Sequence, residues 1–121
     1  FAHVILRGGK TPNYHAEDIQ QTLDKLESNA IDMGIMIDCS HGNSNKDHNK
    51  QIDVARTIAE QIANNQTGIS GVMIESFLVE GNQKVVDGQP LVYGQSITDA
   101  CVNLSTSEEI LEILASAVKQ R

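Results

Sequence analysis

The stretch "GIMIDCSHGNSNKDH", Gly34 to His48, changes character halfway along. Its first part is an unbroken apolar run, and its second is a loop of Gly, Asn and Ser that opens on Asp38, Cys39 and His41. An apolar run that does not alternate with polar residues reads as a strand covered on both faces, the pattern of parallel sheets. "HVIL" at 3–6 and "GVMIE" at 71–75 share that pattern. Each run leads into a polar loop and then a stretch with helical spacing. Ala16, Ile19, Leu23, Leu26 and Ala30 recur at intervals of three and four, as do Ile52, Ala55, Ile58, Ala59 and Ile62. The third helix is marked by Ile110, Ile113, Leu114, Ala117 and Val118, with Ser105 and Glu108 spaced as a capping box at its start. Asn64-Asn65 and Thr67-Gly68 end the second helix and turn the chain.

The predicted order is therefore βα-βα-βα, with a polar excursion from Glu80 to Thr98 before the last helix. Such alternation gives a parallel α/β sheet, either open and doubly wound or closed as a barrel. No linker or low-complexity tract divides the 121 residues, so residues 1–121 read as one unit. The three segments are alike in pattern but show no sequence repeat.

Composition narrows the partners. A chain of 121 residues buries roughly two-thirds of its extended surface as one small domain. No stretch approaches the ~20 apolar residues of a membrane span. With a net charge of −7 and 3% aromatic residues, there is neither a basic stripe nor a stacking surface for nucleic acid. Small molecules and protein subunits remain. Cys39 and Cys101 lie far apart in a chain without a secretory signal, which fits free thiols in a reducing, cytoplasmic compartment. The chain opens on Phe1 and runs directly into an apolar strand, as expected of a piece cut from something larger.

In parallel α/β folds, functional groups gather at the carboxyl ends of the strands. Arg7 follows the first strand, Asp38 and His41 the second, Glu75 the third, and Asp99 closes the excursion in "SITDAC". Three adjacent parallel strands would bring these groups to one rim. Imidazole with carboxylates suits a divalent ion of the Mn, Fe, Co or Zn class, and three protein ligands leave positions open for substrate. Arg7 beside Gly8-Gly9 suits a phosphate: the guanidinium fork grips an oxyanion and the glycines let backbone approach it. "HGNSNK", ahead of the second helix, adds backbone donors for an anion.

Each residue taken alone has a plainer role. A single His at a strand end is more often a hydrogen-bonded structural residue, Glu75 could pair with a lysine, Asp99 could cap a turn, and Arg7 could cover a sheet edge. His3, His15 and His48 carry only this plainer expectation, and Cys39 and Cys101 read as small buried residues. A receiver-like, acidic metal-binding domain would need an acidic pair after its first strand, where Arg7 and Gly8 stand instead.

Four blocks in order, "HVILRGGKTPNY", "IDCSHGNSNKDH", "VMIESFLVEGNQ" and "YGQSITDAC", resemble consecutive motifs of the class I 3-deoxy-D-arabino-heptulosonate 7-phosphate (DAHP) synthases, over essentially the whole chain. "PNYHAEDI" and "SFLVEGNQKVVDGQPLVYGQSITD" look most like the tryptophan-sensitive isozyme. The resemblance implies a (β/α)8 TIM barrel of about twice this length or more, with this chain as the last three βα units. It implies an enzyme of the shikimate pathway that condenses phosphoenolpyruvate with erythrose 4-phosphate, releases inorganic phosphate, and works as a homo-oligomer. By motif, a divalent metal would be held by His41, Glu75 and Asp99 together with a cysteine from an earlier strand. Arg7 would hold the phosphate of phosphoenolpyruvate, with His41 near it, and Asp38 would orient His41 from behind. Neither Cys39 nor Cys101 sits in the ligand-cysteine motif, and "CVNL" departs from relatives that carry a tryptophan nearby. A piece of this kind is expected to be inactive alone and to associate through its open strand edges and apolar inner face.

Overall fold

The computed structural model describes residues 2–121; the reading of Phe1 falls outside them. Three parallel strands, β1 (Val4–Leu6), β2 (Ile35–Asp38) and β3 (Ile69–Met73), lie side by side in sequence order. Helices α1 (Ala16–Ser28) and α2 (Gln51–Ala63) form the two crossovers, and α3 (Leu104–Gln120) packs on α2. The expected βα-βα-βα order holds, and its parallel register pairs Leu6 with Ile37 and Ile37 with Val72.

One strand face carries the core. Ile35, Ile37 and Cys39 share a side of β2 and are fully buried with Ile19 and Leu26 of α1 and Val54 and Ile58 of α2. Val4 and Leu6 of β1 and Val72 of β3 pack against the same cluster. Both crossover helices thus cover one face, as successive right-handed connections between neighbouring strands require. On the opposite face Ile5 remains 40% exposed, while Met36 and Met73 are half-buried. The expectation of strands covered on both faces is therefore not met, although β2, flanked by both other strands, is the most buried of the three. The continuous apolar run still marks the residues, but their cover is one-sided here.

Two helix boundaries differ from the sequence reading. α1 stops at Ser28, and Ala30, in a left-handed conformation with φ of 56°, lies in the turn beyond it. The capping box at Ser105 and Glu108 does not form. α3 begins earlier, on Asn103, whose side chain accepts from the Thr106 N–H at 2.9 Å. Asn is as good a cap as Ser, and the first to reach the free amides sets the boundary. The excursion is also more ordered than a polar loop. Within it β4 (Val79–Asn82) and β5 (Gln95–Ser96) pair in parallel as a separate two-stranded sheet.

Candidate metal centre

Asp38 ends β2, and the chain then turns sharply. The Asp38 carboxylate accepts from the Ser40 N–H at 2.8 Å, a local turn that short acidic side chains favour. His41 follows with a φ of 48°, left-handed backbone that few residues other than glycine adopt. In this conformation its Nδ1 lies 2.8 Å from the second Asp38 oxygen, in a site where Asp38 is only 1% exposed. A carboxylate accepts there, so Nδ1 is the donating nitrogen and Nε2 is the one turned away from Asp38.

Nε2 points at two carboxylates. It lies 3.5 Å from Oε1 of Glu75 and 3.5 Å from Oδ2 of Asp99. Glu75 stands two residues beyond β3, held through its backbone. The buried Gln51 side chain donates to its carbonyl at 3.1 Å and accepts from its N–H at 2.9 Å, and the Val102 N–H donates to the same carbonyl. Asp99 arrives on the return of the excursion, whose next residues are fixed by a two-way backbone pairing of Cys101 with Gly81.

One ligand atom each from His41, Glu75 and Asp99 therefore fall within 4.8 Å of one another, all half-buried. Metal–ligand bonds of about 2.1 Å separate neighbouring donors by about 3.4 Å in a tetrahedral site and about 3.0 Å in an octahedral one. The two spacings to His41 Nε2, each 3.5 Å, lie close to that range, and all three donors are within 4.8 Å of one another, so the set can hold a divalent cation. One nitrogen and two carboxylate oxygens suit Mn, Fe, Co or Zn.

Arg7 follows β1 directly, with its side chain exposed. Its loop is pressed onto the His41 loop: a Cβ on Gly8 would sit 2.4 Å from the Gly42 carbonyl carbon, and Gly8 has a φ of 77°. Asn43, buried between them, donates to the carbonyls of Leu6 and Asp38 and accepts from the Asn13 N–H. The five rim residues expected from sequence thus gather on neighbouring segments. Asn43, Ser40 and Gln51 were missed, and only the "HGN" turn hinted at one of them.

The remaining candidates fall elsewhere. His15 stacks on Tyr14, His3 is exposed, and His48 faces Glu80 at 3.8 Å. Cys39 belongs to the core, where burial and then the Asp38 charge push its thiol up to about 12. Cys101 is less buried than expected; burial and then Glu75 raise its thiol too. "HGNSNK" does not open the second helix directly, because two short 3-10 turns, His41–Asn43 and His48–Lys50, intervene before α2.

The family model of the DAHP synthetase I family matches residues 1–112. The chain belongs to the DAHP synthetase I family. Its relatives in this family include the Trp-sensitive phospho-2-dehydro-3-deoxyheptonate aldolase of Salmonella typhi, 52% identical over 121 residues, which are 100% of this chain and 35% of that protein. The corresponding Trp-sensitive protein of Enterobacter agglomerans is 55% identical over 119 residues, covering 98% of this chain and 34% of its own length. The solved structure of phospho-2-dehydro-3-deoxyheptonate aldolase from Francisella tularensis SCHU S4 superposes with a TM-score of 0.94 at 52% identity, over 98% of this chain and 35% of that one. This chain spans about a third of the length of these family members. Among the described residues, no helix is long and apolar enough to cross a membrane.

Proposed function

We propose that the protein carrying this chain is a DAHP synthase, and that residues 1–121 form one unit of it, the last three βα units of a (β/α)8 barrel. The one-sided sheet supports the barrel. Helices cover one face of β1, β2 and β3, and the other face, with Ile5 exposed, has the apolar character of a barrel interior. The observation that carries the activity is the meeting of His41 Nε2 with Glu75 and Asp99, with Asp38 behind the imidazole. By the family resemblance a fourth, cysteine ligand would come from an earlier strand; Cys39 faces the helices.

In this reading His41, Glu75 and Asp99 hold the divalent ion, of the Mn, Fe, Co or Zn class. Bound there, the ion supplies Lewis acidity toward the aldehyde of erythrose 4-phosphate. Asp38 accepts from His41 Nδ1 and so holds the ring with Nε2 toward the ion. Arg7 holds the phosphate of phosphoenolpyruvate in reacting geometry, with His41 alongside, while C3 bonds to the aldehyde carbon, water adds its oxygen to C2 and the phosphate leaves with the bridging oxygen. Placing Arg7 and His41 on loops that touch through Gly8 and Gly42 sets the distance between phosphate and aldehyde. The enzyme would be cytoplasmic and homo-oligomeric, and this chain alone inactive.

The test uses the protein at the length of its relatives. Chelation should abolish consumption of phosphoenolpyruvate in the presence of erythrose 4-phosphate, and Mn²⁺ should restore it. His41→Ala should neither bind Mn²⁺ nor turn over. Full activity after exhaustive chelation, or undiminished Mn²⁺ affinity in His41→Ala, overturns the proposal.

A further inference from the structure

Glu75 stands two residues past the end of β3, on a segment that turns toward the excursion. A glutamate has more rotatable bonds than His41 or Asp99, so its carboxylate needs the most support. Two buried polar side chains supply it. Gln51, 0% exposed at the first position of α2, forms a two-way hydrogen-bonded clasp with the Glu75 peptide, donating at 3.1 Å and accepting at 2.9 Å. This adds to the bond that the Glu75 carbonyl takes from the Val102 N–H, so the peptide is held from two sides. Ser40, 3% exposed, donates its hydroxyl to Oε2 of Glu75. Oε1, the other oxygen, is the one facing His41 Nε2.

These contacts close a ring. The Ser40 N–H binds one Asp38 oxygen, the other Asp38 oxygen meets His41 Nδ1, His41 Nε2 faces Glu75 Oε1, and Glu75 Oε2 accepts from Ser40 Oγ. Resting on the metal reading above, we infer that Ser40 and Gln51 are positioning residues for Glu75. Gln51 fixes where its backbone stands, and Ser40 occupies Oε2 so that Glu75 offers a single oxygen, Oε1, to the ion. Ligand-orienting contacts of this kind are worth about 10- to 100-fold in metal affinity.

The test is Mn²⁺ titration by calorimetry of Ser40→Ala and Gln51→Met in the protein at the length of its relatives, with His41→Ala as reference. Co²⁺ substitution adds a d–d spectrum that follows coordination number and not overall stability. Both variants should lose about 10- to 100-fold in Mn²⁺ affinity. Ser40→Ala should also change the Co²⁺ spectrum as Oε2 becomes free to chelate. If His41→Ala loses Mn²⁺ binding but Ser40→Ala keeps both the affinity and the Co²⁺ spectrum of the parent, the brace is refuted and the metal site stands. If His41→Ala binds Mn²⁺ as the parent does, the metal reading itself falls and the brace with it. Gln51→Met removes a fully buried amide, and should it fail to fold, Ser40→Ala alone decides.

Discussion

Asp38→Asn changes almost no volume and removes one hydrogen-bond acceptor, which makes it a sharp probe of the imidazole. Both Asp38 oxygens are in use, one for the Ser40 N–H and one for His41 Nδ1, each at 2.8 Å. An amide has a single oxygen, so one of the two partners must face its NH2 group. If that partner is the Ser40 N–H, two donors meet where the residue is 1% exposed, at a cost of about 1–3 kcal/mol. If it is His41, Nδ1 must turn acceptor, and the ring proton moves to Nε2, onto the lone pair that faces Glu75 and Asp99. The first outcome destabilises the turn that carries His41, and the second puts a proton on the nitrogen that would meet the ion. The expected loss is about 10- to 100-fold in Mn²⁺ affinity, or about 1.4–2.7 kcal/mol. Calorimetric titration of the chelator-stripped protein measures it, with circular dichroism to confirm that the variant remains folded. A folded Asp38→Asn protein that binds Mn²⁺ as tightly as the parent would show that the charge on Asp38 adds nothing to His41 as a ligand.

Gly8→Ala should cost about 3 kcal/mol or more, since its Cβ would lie 2.4 Å from backbone at a φ of 77° and would push apart loops joined by Asn43; urea unfolding should show a lower midpoint at unchanged slope. Arg7→Lys keeps the charge but loses the planar fork, so the KM for phosphoenolpyruvate should rise by about tenfold with a smaller change in kcat. The Cys39 thiol, pushed up from 9.0 to about 12 by burial and then by Asp38, is protonated in the folded chain where the unfolded chain would ionise. Its contribution to stability is therefore complete below pH 9 and is lost as pH rises toward 12. Cys39→Ala should flatten the alkaline limb of the stability profile in that window, and thiol reagents at pH 8 should label Cys39 only on unfolding.

Where local pattern and tertiary packing ask for the same residue, the sequence was legible. Ile35, Ile37, Ile58 and Ile110 carry the strand and helix periodicities and are all fully buried. The strand-end positions of Arg7, Asp38, His41 and Glu75 followed from the parallel order alone, because that order puts every strand's exit on one rim. What stayed hidden depends on partners distant in sequence. Gln51 reads as an ordinary residue at a helix start, and only the fold reveals that it meets Glu75, 24 positions away. Asn103 outcompeted Ser105 as the cap because its side chain reaches the Thr106 amide first, a choice of register that spacing does not settle. The β4 and β5 strands escaped notice because they are short, carry polar residues and are stabilised by pairing with each other.

On the proposed function, the contact between Gly8 and Gly42 joins the arginine assigned to phosphate and the histidine assigned to the metal in one device. Carbonyl ends of neighbouring parallel strands lie about 4.8 Å apart, and side chains on both following loops would ordinarily hold those loops farther away. Glycine on each side removes that spacer. The Asn43 amide then ties the Leu6 and Asp38 carbonyls together from below, at 3.1 and 2.8 Å. Arg7 and His41 each stand one residue from the contact, on either side of it. A shift of one loop must therefore carry the other with it. Substitution at either glycine should disturb phosphate binding and metal binding together, whereas substitution of Arg7 should weaken phosphate binding and leave metal binding intact.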